Sequence, residues 1–152
     1  MKIFYNSKIA KLFTFLPGFK TISLFGMVFT EKDSLTRRTI CHETVHASQY
    51  FDLFVAGAMM AAFTYGIWLG FTQEHCTEML WLLLLPIFLF YAWYLTEYFI
   101  RLIINIAKGV DEPFHTAYRN IAFEQEANDL ECCCTEEDDG TEPFSFFKYY
   151  SK

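Results

Sequence analysis

Two long apolar blocks constrain this chain more than any other feature of its sequence. The first, LFVAGAMMAAFTYGIWLGF, covers 53–71, and the second, MLWLLLLPIFLFYAWYLTEYFI, covers 79–100. Each has the roughly 20 apolar residues that a helix needs to cross a bilayer, and neither has the polar face of a helix in a soluble protein. The pattern predicts a hairpin of two transmembrane helices, at 53–72 and 79–106, with a kink at Pro86 in the second.

The basic residues predict how such a hairpin is oriented. Seven Lys and Arg residues precede the first block, whereas the connector 73–78 has none. Because loops on the cytoplasmic side carry an excess of Lys and Arg, we expect both termini to be cytoplasmic. The net charge of -6 comes from an acidic run, since six of the 18 acids fall within 131–142 and leave 12 acids against 12 bases. No basic stripe is present, so we expect no nucleic-acid partner.

The segment His42-Glu43-Thr44-Val45-His46 is an H-E-x-x-H motif. Residues four apart lie on one face of a helix. Two imidazoles at this spacing can therefore bind one zinc ion, with Glu43 positioned as the catalytic base that activates a water molecule. His46 also lies seven residues before Leu53, about 10 Å along a helix. This context favours a metal site over two exposed helical histidines.

A catalytic zinc site needs a third protein ligand and one open position. The best downstream segment is AFEQEAND, at 122–129. On a helix, Glu124 and Asn128 share one face, while Glu126 lies about 200° around from Glu124. The sequence therefore predicts that His42, His46 and Glu124 bind one zinc ion per chain, with Glu126 as the alternative third ligand.

The other segments complete the prediction of a mainly α fold in a single integral-membrane domain, 1–152. Residues 20–30 are rich in β-branched and aromatic side chains and indicate a short β-hairpin. A helix is expected to begin near Leu35, capped by Asp33 or Ser34, and to run into the first apolar block. In chain order we expect an interfacial segment with the β-hairpin (1–34), the HExxH helix (35–52), the apolar hairpin, a Glu-bearing helix (112–130), an acidic flexible linker (131–143) and an aromatic tail at the membrane interface (144–152).

The order of these features resembles the integral-membrane gluzincin zinc metallopeptidases, which process prenylated proteins or degrade membrane proteins under stress. The features are H-E-x-x-H, a two-helix membrane hairpin and a helical E-x-E-A-x segment. The resemblance implies that Glu124 is the third zinc ligand. It also implies that Asn128, which stands where that family has Asp, supports a ligand histidine through a hydrogen bond.

The chain is also similar to a group of small uncharacterised bacterial membrane proteins, mainly of the Bacteroidetes type. They share H-E-x-[IV]-H-x-x-Q, here His42–Gln49, and Y-R-x-[IV]-[SA]-F-E-x-E-A, here Tyr118–Ala127. The similarity covers residues 20–150. It implies a multi-pass protein of the bacterial inner (cytoplasmic) membrane, but no particular activity.

A few further polar residues are candidates for roles around the metal. Gln49 falls one turn beyond His46 and either lines the site or is an ordinary interfacial glutamine. Tyr118 or Arg119 would stabilise an oxyanion, or else serve in packing. His115 would complete a closed metal shell.

The five cysteines are expected to be reduced. Cys132–Cys134 are adjacent in sequence, which is a poor layout for disulfides and misses the usual metal-binding spacing. Their role is left open.

Two functional hypotheses follow. The first is a zinc-dependent metalloprotease, a hydrolase that cleaves peptide or membrane-protein substrates at the cytoplasmic membrane surface with Glu43 as base. The strand within 20–30 would pair with an extended substrate. The second is a non-catalytic membrane protein with a structural or sensory zinc site, which the small size favours. The two hypotheses differ in whether the metal has an open coordination position. If His115 or both glutamates also bound the metal, its coordination shell would be closed, which would favour the second hypothesis. Two membrane spans form a narrow scaffold, which is compatible with a homodimer.

Overall fold

The computed structural model describes residues 1–13, 21–73, 77–132 and 140–151. Parts of the predicted interfacial segment (14–20), the connector (74–76, with His75 and Cys76) and the acidic linker (133–139, with Cys133 and Cys134) lie outside the described residues. The described chain is mainly helical with a small three-stranded sheet, which confirms the predicted class. It forms two compact units, Met1–Tyr50 with Ala122–Lys152, and Phe51–Ile121.

The predicted β-hairpin is present in the first unit. Strand β2 (Thr21–Leu24) pairs antiparallel with β3 (Met27–Thr30). Phe25 and Gly26 connect them with φ values of 54° and 70°. Two successive positive φ values are what a tight two-residue hairpin turn requires, and glycine adopts one without a steric penalty.

A third strand was not expected from the sequence. β1 (Lys2–Phe4) pairs parallel with β3, which becomes the buried centre of the sheet order β1-β3-β2. The Phe4 ring stacks on Phe29 with a centroid distance of 4.9 Å. The predicted interfacial segment therefore begins with a strand, and the described helix α1 covers Lys8–Phe13.

Helix α2 (Arg37–Thr72) carries both the H-E-x-x-H motif and the first apolar block. It begins later than the predicted Leu35. The cap is Thr36, whose hydroxyl oxygen accepts a hydrogen bond from the Thr39 backbone N–H at 3.2 Å, so Asp33 and Ser34 do not fill this role. The residues of α2 up to Tyr50 belong to the first unit and the rest to the second.

The second apolar block begins with a 3₁₀ helix, Thr77–Leu84, and continues as helix α3, Leu85–Ala107. The chain passes from the 3₁₀ helix to α3 next to Pro86, the residue at which a kink is predicted. Pro86 lies in the first turn of α3, where its missing N–H has no helical partner to lose. A Cβ atom on Gly57 would lie 2.7 Å from Pro86 Cα, so the two apolar helices approach closely at this glycine.

The predicted single helix over 112–130 is two helices. Helix α4 covers Pro113–Arg119 in the second unit, and helix α5 covers Ala122–Leu130 in the first. The backbone N–H of Ile121 bonds to the Tyr118 carbonyl at 3.2 Å, a tight turn that interrupts the helical ladder. Ile121 is fully buried, so its packing compensates for the interruption.

The aromatic tail, which is predicted to rest at the membrane interface, packs on the first unit. Ser145–Tyr150 form a 3₁₀ helix that packs on α5, and the Phe146 ring lies 4.4 Å from that of Phe123, both fully buried. The Tyr149 hydroxyl donates a hydrogen bond to Asp129 at 2.7 Å. The tail therefore contributes Phe146 and Tyr149 to the core of the first unit, while Phe147 and Tyr150 are exposed.

The prediction of reduced cysteines is wrong for Cys41. Cys41 is buried and disulfide-bonded, whereas Cys132 is free and exposed. The adjacency of Cys132–Cys134 in sequence disfavours bonds among these three residues but says nothing about a bond to Cys41.

Candidate metal centre

The two histidines of the motif project from one face of α2, as their four-residue spacing requires. Their Nε2 atoms are 3.2 Å apart. The rings are nearly perpendicular, with an interplanar angle of 84° and a centroid distance of 4.8 Å. This geometry turns the same nitrogen of each ring towards a common point.

Glu124, in the first turn of α5, completes the group. One carboxylate oxygen lies 3.4 Å from His42 Nε2 and the other lies 3.3 Å from His46 Nε2. In a tetrahedral zinc site with bonds of about 2.0–2.2 Å, neighbouring ligand atoms are roughly 3.3 Å apart. The shortest separations, 3.2 to 3.4 Å, involve both Glu124 oxygens. With one ligand atom from each residue, the three atoms lie within 4.8 Å of one another, so the group could hold a metal ion.

The group contains three donors, of which two are buried and His42 is half-buried. Glu124 is 2% exposed and His46 is 6% exposed. Among the His, Cys, Asp and Glu residues in the described ranges, the cluster that can hold a metal ion consists of His42, His46 and Glu124. A carboxylate and two imidazoles form a donor set typical of zinc.

Glu126, the alternative ligand, is buried elsewhere in the first unit. Its two oxygens accept hydrogen bonds from Gln49 Nε2, at 2.8 Å, and from the Ser145 hydroxyl. It is 1% exposed and does not belong to the donor group. The two glutamates thus face different partners, as their positions around the helix predict.

Asn128 is exposed and does not take the supporting role that the resemblance implied. A carboxylate oxygen of Glu131 instead lies 3.5 Å from His42 Nδ1, and the same carboxylate pairs with Arg38. Glu131 was assigned to the acidic linker, yet it is only 9% exposed. Its position seven residues after Glu124, two helical turns on the same face, is the signal that could have identified it.

Gln49 is buried beside His46. Its side-chain oxygen is 2.8 Å from His46 Nδ1, and its amide nitrogen donates to the Phe123 carbonyl at 3.1 Å as well as to Glu126. The imidazole of His46 therefore contacts the donor group on one side and a buried amide on the other.

Glu43 is 9% exposed. Burial raises the pKa of Glu43, and the nearby His46 and His42 partly oppose this rise. A carboxylate whose pKa is raised towards neutrality is better suited to accept and return a proton.

The remaining candidates lie on α4 in the second unit. His115 is exposed, with Nδ1 3.9 Å from a Glu112 oxygen. Tyr118 is half-buried and Arg119 is exposed. None of the three belongs to the donor group.

Comparison of the chain with family models, with curated proteins and with solved structures finds no match.

Zinc binding at this group is expected to depend on pH. Burial lowers the pKa of His46, but the Glu124 and Glu43 carboxylates and the Gln49 amide raise it by more, to about 9. Zinc must displace the proton from Nε2, so the apparent affinity should rise by about tenfold per pH unit from pH 7 to about 9 and then level off. Chelator competition across this range measures the slope. A flat profile between pH 7 and 8.5 would contradict the prediction.

Proposed function

We propose that this chain is a membrane-embedded, zinc-dependent metallopeptidase that cleaves peptide bonds at the cytoplasmic membrane surface. The observation that carries the proposal is the set of separations among His42 Nε2, His46 Nε2 and the Glu124 oxygens, 3.2 to 3.4 Å. The resemblance of the H-E-x-x-H helix, apolar hairpin and E-x-E-A-x segment to membrane gluzincins supports the same reading.

The three donors and Glu43 have distinct roles in this proposal. His42, His46 and Glu124 would hold zinc, which supplies a Lewis acid that lowers the pKa of a water molecule to about 7. Glu43 takes a proton from the attacking water and later passes it to the leaving amine. Three protein ligands leave one position open, as in catalytic rather than structural sites. This donor count in the described residues favours the peptidase over the structural or sensory alternative.

The two long helices support a membrane location. Arg37–Thr72 and Met79–Ala107 contain windows with mean hydropathy of 1.6 and 1.9, and only 17% and 11% of those windows are buried. The core helix of a soluble protein would be mostly buried. Large apolar side chains such as Phe63, Phe71 and Trp81 are instead 71%, 86% and 77% exposed. Exposed apolar surfaces of this kind suit a lipid bilayer as partner.

The position of the donors in the chain supports two membrane crossings. His42 and His46 precede the first apolar block, whereas Glu124 follows the second. Two crossings return the chain to the side on which it started, so all three donors can meet there. A single crossing would separate Glu124 from both histidines.

The distribution of basic residues favours the cytoplasm as that side. A membrane-impermeant maleimide is then expected to label Cys76, in the connector, on intact cells, and the free, exposed Cys132 only after permeabilisation. Cys76→Ser is the matched control, because it should remove the signal from intact cells. Labelling of Cys132 before permeabilisation would reverse the proposed orientation.

The sheet offers a surface for the substrate. In the order β1-β3-β2, strand β2 lies at an edge of the sheet. An extended peptide can add to such an edge through backbone hydrogen bonds. This favours unfolded segments of peptides or membrane proteins as substrates.

The test is cleavage of a mixture of unstructured peptides by the purified protein in detergent with zinc, read by mass spectrometry beside the Glu43→Gln variant. Cleavage that needs both zinc and Glu43 supports the proposal. Full zinc occupancy without cleavage of any peptide would favour the structural or sensory alternative.

A further inference from the structure

A buried polar network lies behind His46, on the side of the ring away from Glu124. Gln49 is 2% exposed and Glu126 is 1% exposed. Polar side chains are buried at a cost unless they are hydrogen-bonded. Here Gln49 bonds to His46, Phe123 and Glu126, and Glu126 also accepts a hydrogen bond from Ser145.

The partners of Gln49 fix the direction of its hydrogen bonds. Its Nε2 atom lies 3.1 Å from the Phe123 carbonyl oxygen, which only accepts, and 2.8 Å from a Glu126 oxygen. The opposite amide orientation would place an oxygen against these two oxygens. The amide oxygen of Gln49 therefore faces His46 Nδ1, and because it can only accept, the proton of that hydrogen bond is on Nδ1.

This hydrogen bond determines which nitrogen of His46 is available to a metal. A neutral imidazole with its proton on Nδ1 carries its lone pair on Nε2. Nε2 is the atom that lies 3.2 Å from His42 Nε2 and 3.3 Å from Glu124.

We propose that Gln49, held in place by Glu126, is a positioning residue that keeps His46 in the tautomer that ligates through Nε2. The proposal rests on the metal site described under the proposed function. Glu126 does not face the donor group. It would act on the metal indirectly, through Gln49 and His46. The two histidines are then supported differently, His42 by the Glu131 carboxylate and His46 by a neutral amide.

The test measures zinc affinity by chelator competition in the full-length protein. Gln49→Met preserves the size of the side chain but removes the acceptor for Nδ1, and should weaken zinc binding by about 10- to 100-fold. Gln73→Met, at an exposed glutamine, is the matched control and should leave affinity unchanged. A melting curve of each variant reports whether it is folded.

A swapped pair separates positioning from packing. In Gln49→Glu with Glu126→Gln, the new carboxylate can accept from His46 Nδ1 and from the new amide at 126, whose oxygen can still accept from Ser145, but the hydrogen bond to the Phe123 carbonyl is lost. The double variant should therefore recover part of the affinity that Gln49→Met loses, whereas Gln49→Glu alone should not, because two carboxylates would then face each other.

The possible results test the role of Gln49 separately from the existence of the zinc site. Wild-type affinity in a folded Gln49→Met variant, or no recovery in a folded swapped pair, would overturn the positioning role and leave the zinc site intact. A wild-type protein that binds no zinc would remove both.

Discussion

The Glu43→Gln variant is expected to lose peptide cleavage by about 10²- to 10⁴-fold, the usual contribution of a positioned general base. Glutamine has nearly the same shape as glutamate, but its amide does not accept a proton from water at neutral pH. Because Glu43 is outside the donor group, the variant should bind zinc as the wild type does. Initial rates on one cleaved peptide, with zinc content measured on the same samples, test both statements.

The matched control is Glu142→Gln, the same change at an exposed glutamate. It should retain both cleavage and zinc. Two results would contradict the assignment of Glu43. Cleavage unchanged in Glu43→Gln would point to another base or another enzyme, and loss of zinc from that variant would make Glu43 a ligand.

Replacing any one donor is expected to have the largest effect on metal content. Structural zinc sites in small peptides bind with free energies on the order of 10 kcal/mol. Losing one of three protein ligands should then cost about 3 kcal/mol, which is roughly 100-fold in affinity. His42→Ala, His46→Ala and Glu124→Ala should each fall from about one zinc per chain to little or none after dialysis, as measured by elemental analysis.

Two control variants test whether the loss of zinc is specific to the three donors. His115→Ala removes an exposed histidine outside the donor group and should keep full occupancy. Glu126→Ala should weaken binding less than Glu124→Ala, because Glu126 contacts Gln49 rather than the donors. Full occupancy in Glu124→Ala, or a Glu126 oxygen found about 2 Å from zinc, would refute the choice between the two glutamates.

The local parts of the site were predictable from the sequence. The spacing of His42 and His46 places both on one face of any helix, and the offset between Glu124 and Glu126 separates them around the next one. These inferences need only helical geometry. The β2–β3 hairpin was equally local, because Phe25-Gly26 can supply the turn between two short strands.

The parts that depend on distant segments were not predictable. β1 pairs with a strand more than 20 residues away, and its three residues carry too little pattern to indicate a strand. The helix break at Ile121 has neither Pro nor Gly beside it. Glu131 begins an acidic run whose composition suggests a solvated linker, and only the fold shows it beside His42.

The packing of Ser145–Tyr150 on α5 has a consequence for biosynthesis. Ser145 supplies one of the two hydrogen bonds to Glu126, and Phe146 covers Phe123. Both residues leave the ribosome after the two apolar helices and after every proposed ligand. The newly made chain therefore completes the contacts that support His46 only in this last step. A metal site supported in this way would mature late, after both apolar helices have been made.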